Sequence, residues 1–144
     1  MRLWHQSLIP FLPRQQLLGQ HRECCALRGN GWDKKHSTVD YAFKYSPFRL
    51  FEFHLVVMYE MLNRNYNVEA AWFSPYYRGK NCYPWLPREC WAADGAWIGP
   101  GKTVYLEHDD EYLKECLENL KGKGINICAA ELEDNNEIQI QDVG

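Results

Sequence analysis

The stretch PRQQLLGQHRECCALRGNG, residues 13–31, decides the fold. Pro13 opens it, and proline suits a helix start because the N–H it lacks would have no intrahelical partner there. Leu17, Leu18, His21, Cys24 and Cys25 then recur at spacings of three and four, one stripe of an α-helix facing a core. Gly29 and Gly31 end it. The opposite side carries Gln15, Gly19, Arg22, Glu23 and Ala26. Gly19 and Ala26 are small, so this side leaves room for something to approach Arg22 and Glu23.

The same pattern recurs twice further on. Ser46-Pro47 gives a cap followed by a proline at the first helical position, and a second helix is expected over 47–63. Leu50, Phe51, Leu55, Met58 and Leu62 form its apolar stripe, with His54 inside it. A third helix is expected over 109–122, with Asp109, Asp110 and Glu111 at its start and Lys121 and Lys123 at its end, as the helix dipole favours. Leu113, Cys116, Leu117 and Leu120 supply its core stripe. Segments 55–68 and 112–127 read as two helix–turn units that end alike.

Residues 65–107 differ in character. Tyr76, Tyr77, Tyr83, Trp85, Trp91 and Trp97 lie among prolines and glycines. So many rings are costly to leave in water, which predicts an ordered, irregular insertion packed on the helices, with short strands possible. The tail 131–144 holds five acidic residues and no basic one, and Ile138 and Ile140 alternate as in a short strand. The expected fold is therefore mainly α: a single compact domain over 1–144 with an irregular Trp/Tyr-rich insertion. At 144 residues there is no room for separate cofactor and substrate domains.

The net charge of −3 hides a split, with +4 over residues 1–65 and −7 over 66–144. An anionic partner is expected at the basic front half. No run approaches the roughly 20 apolar residues of a membrane span, and the start lacks a signal-peptide pattern, so a cytoplasmic protein with no membrane partner is expected. The six cysteines are then expected as reduced thiols. They form no C-x-x-C pair, so neither a metal site nor a cofactor is expected. Phosphate-loop, dinucleotide, nucleophile-elbow and H-E-x-x-H motifs are all missing.

Four features remain as chemistry. Arg22-Glu23 pairs a carboxylate with a guanidinium, against the plain reading of a solvated helix face. His54 is a catalyst or, as the stripe favours, a core histidine with a satisfied hydrogen bond. Lys34, Lys35, His36 and Lys44 suit phosphate contacts. The aromatic insertion can stack on bases or, preferably, forms a second small core.

These pieces together resemble the phage-type pyrimidine-dimer DNA glycosylases, small helical repair enzymes that also nick abasic sites. Leu8, Leu12, Gln15, Leu17 and Arg22-Glu23 stand at that family's distances from the N-terminus. Phe43-Lys44-Tyr45-Ser46-Pro47, preceded by Lys35-His36, matches an F-K-x-S-P element. His54-Leu55 with Tyr59-Glu60 and Leu62 matches the family's next helix, and 111–127 a later one.

The resemblance implies a glycosylase and abasic-site lyase acting on damaged pyrimidines in double-stranded DNA, as a monomer associated with the nucleoid. Its nucleophile is an N-terminal α-amine, a group that titrates near pH ~8 and so has a neutral fraction at pH 7. Met1 or Arg2 would present it, and Glu23 takes the place of the family's essential carboxylate. Arg22, Lys34, Lys35, His36, Lys44 and His54 would meet the DNA. The chain departs from the family pattern at Arg2 (a small residue there), Gln16 (a histidine) and Ala26 (an arginine), with Arg28 as a substitute for the last. Tyr76-Tyr77-Arg78-Gly79-Lys80 would replace the family's C-terminal aromatic-basic segment if the insertion folds back over the site. The alternative is a lesion-sensing, nucleic-acid-binding protein on the same scaffold without imine chemistry.

Overall fold

A computed structural model describes residues 1–91 and 101–128. Trp97, Pro100 and the acidic tail with its Ile138/Ile140 alternation lie outside them. Among the described residues there are four α-helices: α1 (Arg14–Arg28), α2 (Pro47–Asn63), the single turn α3 (Pro87–Cys90) and α4 (Asp110–Gly122). Short 3₁₀ segments at Gln6–Phe11, Asp40–Lys44 and Ala70–Phe73 lie between them. No strand occurs among the described residues, so the described parts of the insertion, 65–91 and 101–107, are irregular and turn-like. None of the described helices is long and apolar enough to cross a membrane.

The three long helices begin and end where the sequence signals place them. Pro13 stands one residue before α1 instead of at its first helical position, Pro47 opens α2, and the Asp109 side chain accepts from the Tyr112 N–H at the start of α4. The resemblance between the ends of α2 and α4 is a matched pair of caps. Asn65 (φ 62°) and Gly124 (φ 81°) take the left-handed conformation. Behind them Tyr66 N–H donates to Met61 C=O at 2.8 Å, and Ile125 N–H to Leu120 C=O at 2.9 Å. Both bonds satisfy carbonyls a helix end leaves open, and both turns pack an apolar residue back on the core.

Gly31 closes α1 differently: a Cβ there would stand 2.8 Å from the Ala26 carbonyl oxygen, too close for any side chain.

The main core joins Leu3, Leu8, Ile9 and Leu12 of the N-terminal segment to Leu17, Cys24 and Leu27 of α1. Leu50, Phe53, Val57 and Met61 of α2, Tyr105, and Cys116 and Leu120 of α4 complete it. α2 sits centrally and buries more of its circumference than one stripe. Phe53, Val57 and Met61 are fully covered, whereas the expected stripe residue Leu62 is 44% exposed. Only some rings of the insertion join a second cluster: Trp85, with Tyr76 at its edge and Cys90, packs against Phe48 and Phe51 of α2, whereas Tyr83 is 93% exposed and Trp91 41%. This anchors the insertion to the helical body, as the aromatic excess requires.

Candidate active site

The open side of α1 presents Glu23, half-buried. Its Oε2 accepts from the main-chain N–H of Arg2 at 3.3 Å and from Gln20 Nε2 at 3.2 Å. Gln20, one turn earlier and almost fully buried, ties the N-terminal segment down. Its Nε2 donates to the Arg2 carbonyl at 2.9 Å, and its Oε1 accepts from Trp4 N–H at 2.6 Å. Burial pushes the Glu23 carboxyl above its ordinary range. The Arg2 N–H, the N-terminal charge, Arg22 and Gln20 pull the other way.

The bulk of Arg2 does not fill the site. Its guanidinium turns to α4, where it pairs with Glu115 at 3.3 Å and lies over the Tyr112 ring. Tyr112 in turn donates to the Leu3 carbonyl. Met1 is half exposed, and its carbonyl accepts from the Thr38 hydroxyl. That bond brings the basic loop to the N-terminus: Lys34 and Lys35 are exposed, and His36 donates its N–H to Asp40 at 2.8 Å. Lys44, on the 3₁₀ turn that follows, is exposed too. Arg22 is exposed and its guanidinium folds back over Gly19, where a Cβ would meet only Arg22 Nη2 at 3.7 Å.

Two expectations are corrected. His54 cannot meet DNA, because it is wholly buried. Its Nδ1 accepts from Arg28 Nη1 at 2.9 Å, and its Nε2 lies 2.8 Å from His21 Nδ1. An arginine only donates, so the neutral ring carries its proton on Nε2 and passes it toward His21. Burial, with Arg28 and His21, lowers its proton affinity well below that of a free histidine. It is the satisfied core histidine that its stripe position favoured.

Arg28 is likewise 0% exposed and cannot stand in for a surface arginine. It donates to the carbonyls of Trp72, Ser74 and Tyr77 at 2.6–2.9 Å, holding the insertion against the end of α1.

The segment with Tyr76-Tyr77-Arg78-Gly79-Lys80 packs on the C-terminal end of α1, at Arg28 and Gly29. Arg78 donates to the carbonyls of Arg28 and Gly29, and stacks on Trp85. An open cleft of about 350 Å³ lies between the two, lined among others by Ala26, Trp72, Lys80 and Cys82. Cys25 lines it too, and its Sγ also approaches His21 and His54. These three residues bring their donor atoms within 4.8 Å of one another, the one such group among the described residues.

Sequence reasoning missed Gln20, whose signal was its place three residues before Glu23 on the same helix. It also missed Thr38, Tyr112 and Glu115, which reach the N-terminus only through the tertiary fold.

No curated protein and no solved structure matches the chain significantly. The family described as pyrimidine dimer DNA glycosylase matches residues 1–74, just over half of the chain and all of the segment that builds the Glu23 site up to α2. The chain belongs to the pyrimidine dimer DNA glycosylase family, and so is an N-glycosylase whose substrate is DNA carrying pyrimidine dimers.

Proposed function

We propose that the enzyme works through an N-terminal α-amine and Glu23, and that it cleaves abasic sites as well as removing the damaged base. The observation that carries this reading is the 3.3 Å contact between the nitrogen of residue 2 and Glu23 Oε2. Removal of Met1 turns that nitrogen into a free amine already beside the carboxylate. If Met1 stays, its amine lies one residue further out, still close enough for its charge to act on Glu23.

The neutral amine attacks the sugar C1′. The N–C1′ bond forms, the glycosidic bond breaks and the base leaves with its electron pair. Glu23 stabilises the positive charge that develops on the sugar. It then moves the protons for ring opening to the imine, and removes the C2′ proton as the C3′–O bond breaks. A carboxyl whose proton affinity is raised suits such transfers better than an ordinary one. Arg22 and the loop of Lys34, Lys35 and His36, with Lys44, hold the flanking phosphates. The kinked duplex extrudes a nucleotide to admit the amine. The protein acts as a monomer on nucleoid DNA in the cytoplasm.

The test is borohydride trapping on dimer-containing and abasic duplexes, with the adduct's N-terminal residue identified by mass spectrometry. A covalent adduct on Met1 or Arg2 that disappears in Glu23→Gln is expected. DNA binding without any adduct would instead identify a non-catalytic lesion sensor.

A further inference from the structure

We propose that His21, Cys25 and His54 form a binding site for a thiophilic divalent cation of the zinc class, joining α1 to α2. His21 and Cys25 stand one turn apart on one side of α1, and His54 reaches them from the middle of α2. Two imidazoles and a thiolate are a donor set that zinc prefers to the harder alkaline-earth ions.

The spacing fits. His21 Nδ1 and His54 Nε2 are 2.8 Å apart, and Cys25 Sγ is 3.9 and 4.0 Å from them. Bond lengths to tetrahedral zinc set such atoms about 3.4 Å (N to N) and 3.6 Å (N to S) apart. The two N–S spacings lie within about 0.4 Å of that, and the N–N spacing is about 0.6 Å shorter, so the rings part slightly to admit the ion. Cys25 Sγ is almost equidistant from the two His21 ring nitrogens, at 3.8 and 3.9 Å. Nδ1 is the nitrogen already turned to His54.

The protons balance. Without the ion, one proton bridges the two rings and the Cys25 thiol holds another. Binding releases the thiol proton and moves the bridging proton to His54 Nδ1. Arg28 Nη1 then gives up His54 and keeps its second acceptor, the Trp72 carbonyl at 2.9 Å. A metal-ligating histidine usually has a carbonyl or carboxylate behind it. Here an arginine stands there, and its charge weakens the site. Three protein ligands leave a fourth position for water.

The full chain, stripped by chelator, is titrated with Co²⁺ and then with Zn²⁺. One Co²⁺ per chain is expected, with a sulfur-to-cobalt charge-transfer band that Zn²⁺ abolishes by displacement. Cys25→Ser removes the band, and His21→Asn weakens binding at least tenfold. Both positions are only half-buried, so both variants should fold. Glu23→Gln retains the band, which separates this site from the glycosylase chemistry. Failure to bind Co²⁺, or a band that survives Cys25→Ser, would overturn the proposal.

Discussion

Gln20 Nε2 donates to the carbonyl of Arg2 at 2.9 Å, so the helix that carries Glu23 also holds the chain's first residues in place. The same amide group closes three bonds at once, and two of them end on the N-terminal segment. Gln20→Ala leaves the buried Trp4 N–H without its acceptor, and should cost about 1–3 kcal/mol of stability. It should also lower single-turnover cleavage at least tenfold at a temperature where the variant is folded, because the amine is no longer held at the carboxylate. Denaturation and single-turnover assays measure the two effects separately. Loss of stability with full activity would detach Gln20 from the chemistry.

Glu23 is pushed up by burial and held back by its hydrogen bonds. The acid limb of the single-turnover pH profile should therefore lie above the usual glutamate value of roughly 4.3. Gln20→Ala, which removes one opposing bond, should move the limb further up. A carboxyl with raised proton affinity in the folded state binds its proton less tightly once unfolded. Its ionised form at neutral pH thus weighs against folding. Glu23→Gln should accordingly abolish trapping while leaving thermal stability unchanged or higher.

Arg28 should behave as a structural residue. Truncation to alanine strands three main-chain carbonyls at a buried junction. The expected loss is at least about 3 kcal/mol, a large share of the stability of a domain this size. Chemical denaturation of Arg28→Ala and Arg28→Lys measures it, with lysine recovering part. A stable Arg28→Ala variant would contradict the role given to these bonds.

His108 is buried, its Nδ1 accepts from Gln6 N–H at 3.0 Å, and its Nε2 meets the Tyr41 hydroxyl at 2.7 Å. Burial first, and then His5, lower its pKa from 6.5 to about 3. The unfolded chain takes up this proton below pH ~6.5 while the folded chain does not, so stability falls as pH drops from about 6.5 toward 3. Melting temperature against pH should show this slope, and His108→Gln should flatten part of it. His5 and His21 shift in the same direction and add to the fall.

Lys34 and Lys35 are exposed on the loop tied to Met1. Neutralising either should weaken binding to damaged and undamaged duplex alike, and reduce the salt slope of log K by about 1. Fluorescence anisotropy over a salt series measures this. An unchanged slope would place the DNA elsewhere on the protein.

The long helices were legible because their punctuation is local. Ser46-Pro47 and the Asn65 turn bound α2, and Asp109 and Gly124 bound α4. The 3₁₀ segment at Gln6–Phe11 was not, because six residues are too few for a helical period to show. Glu23 was visible as a carboxylate on an uncrowded helix side. The burial of Arg28 was not, since an arginine reads as surface until acceptors 44–49 residues away are known. The His21–Cys25 spacing was in plain view, but His54 joins them from 33 residues on, a distance no local pattern reports.

The clasp on the chain's first residues has a practical consequence for anyone trimming this enzyme. Glu115 holds the Arg2 side chain and Tyr112 the Leu3 carbonyl. Lys102 C=O and Val104 N–H are engaged by the Gln6 side chain. All of these lie beyond residue 74, where the family match stops. A fragment cut at that border would keep every residue proposed for chemistry and lose the scaffold that aims them. Any fragment that keeps this clasp on the N-terminal segment must therefore extend at least through α4.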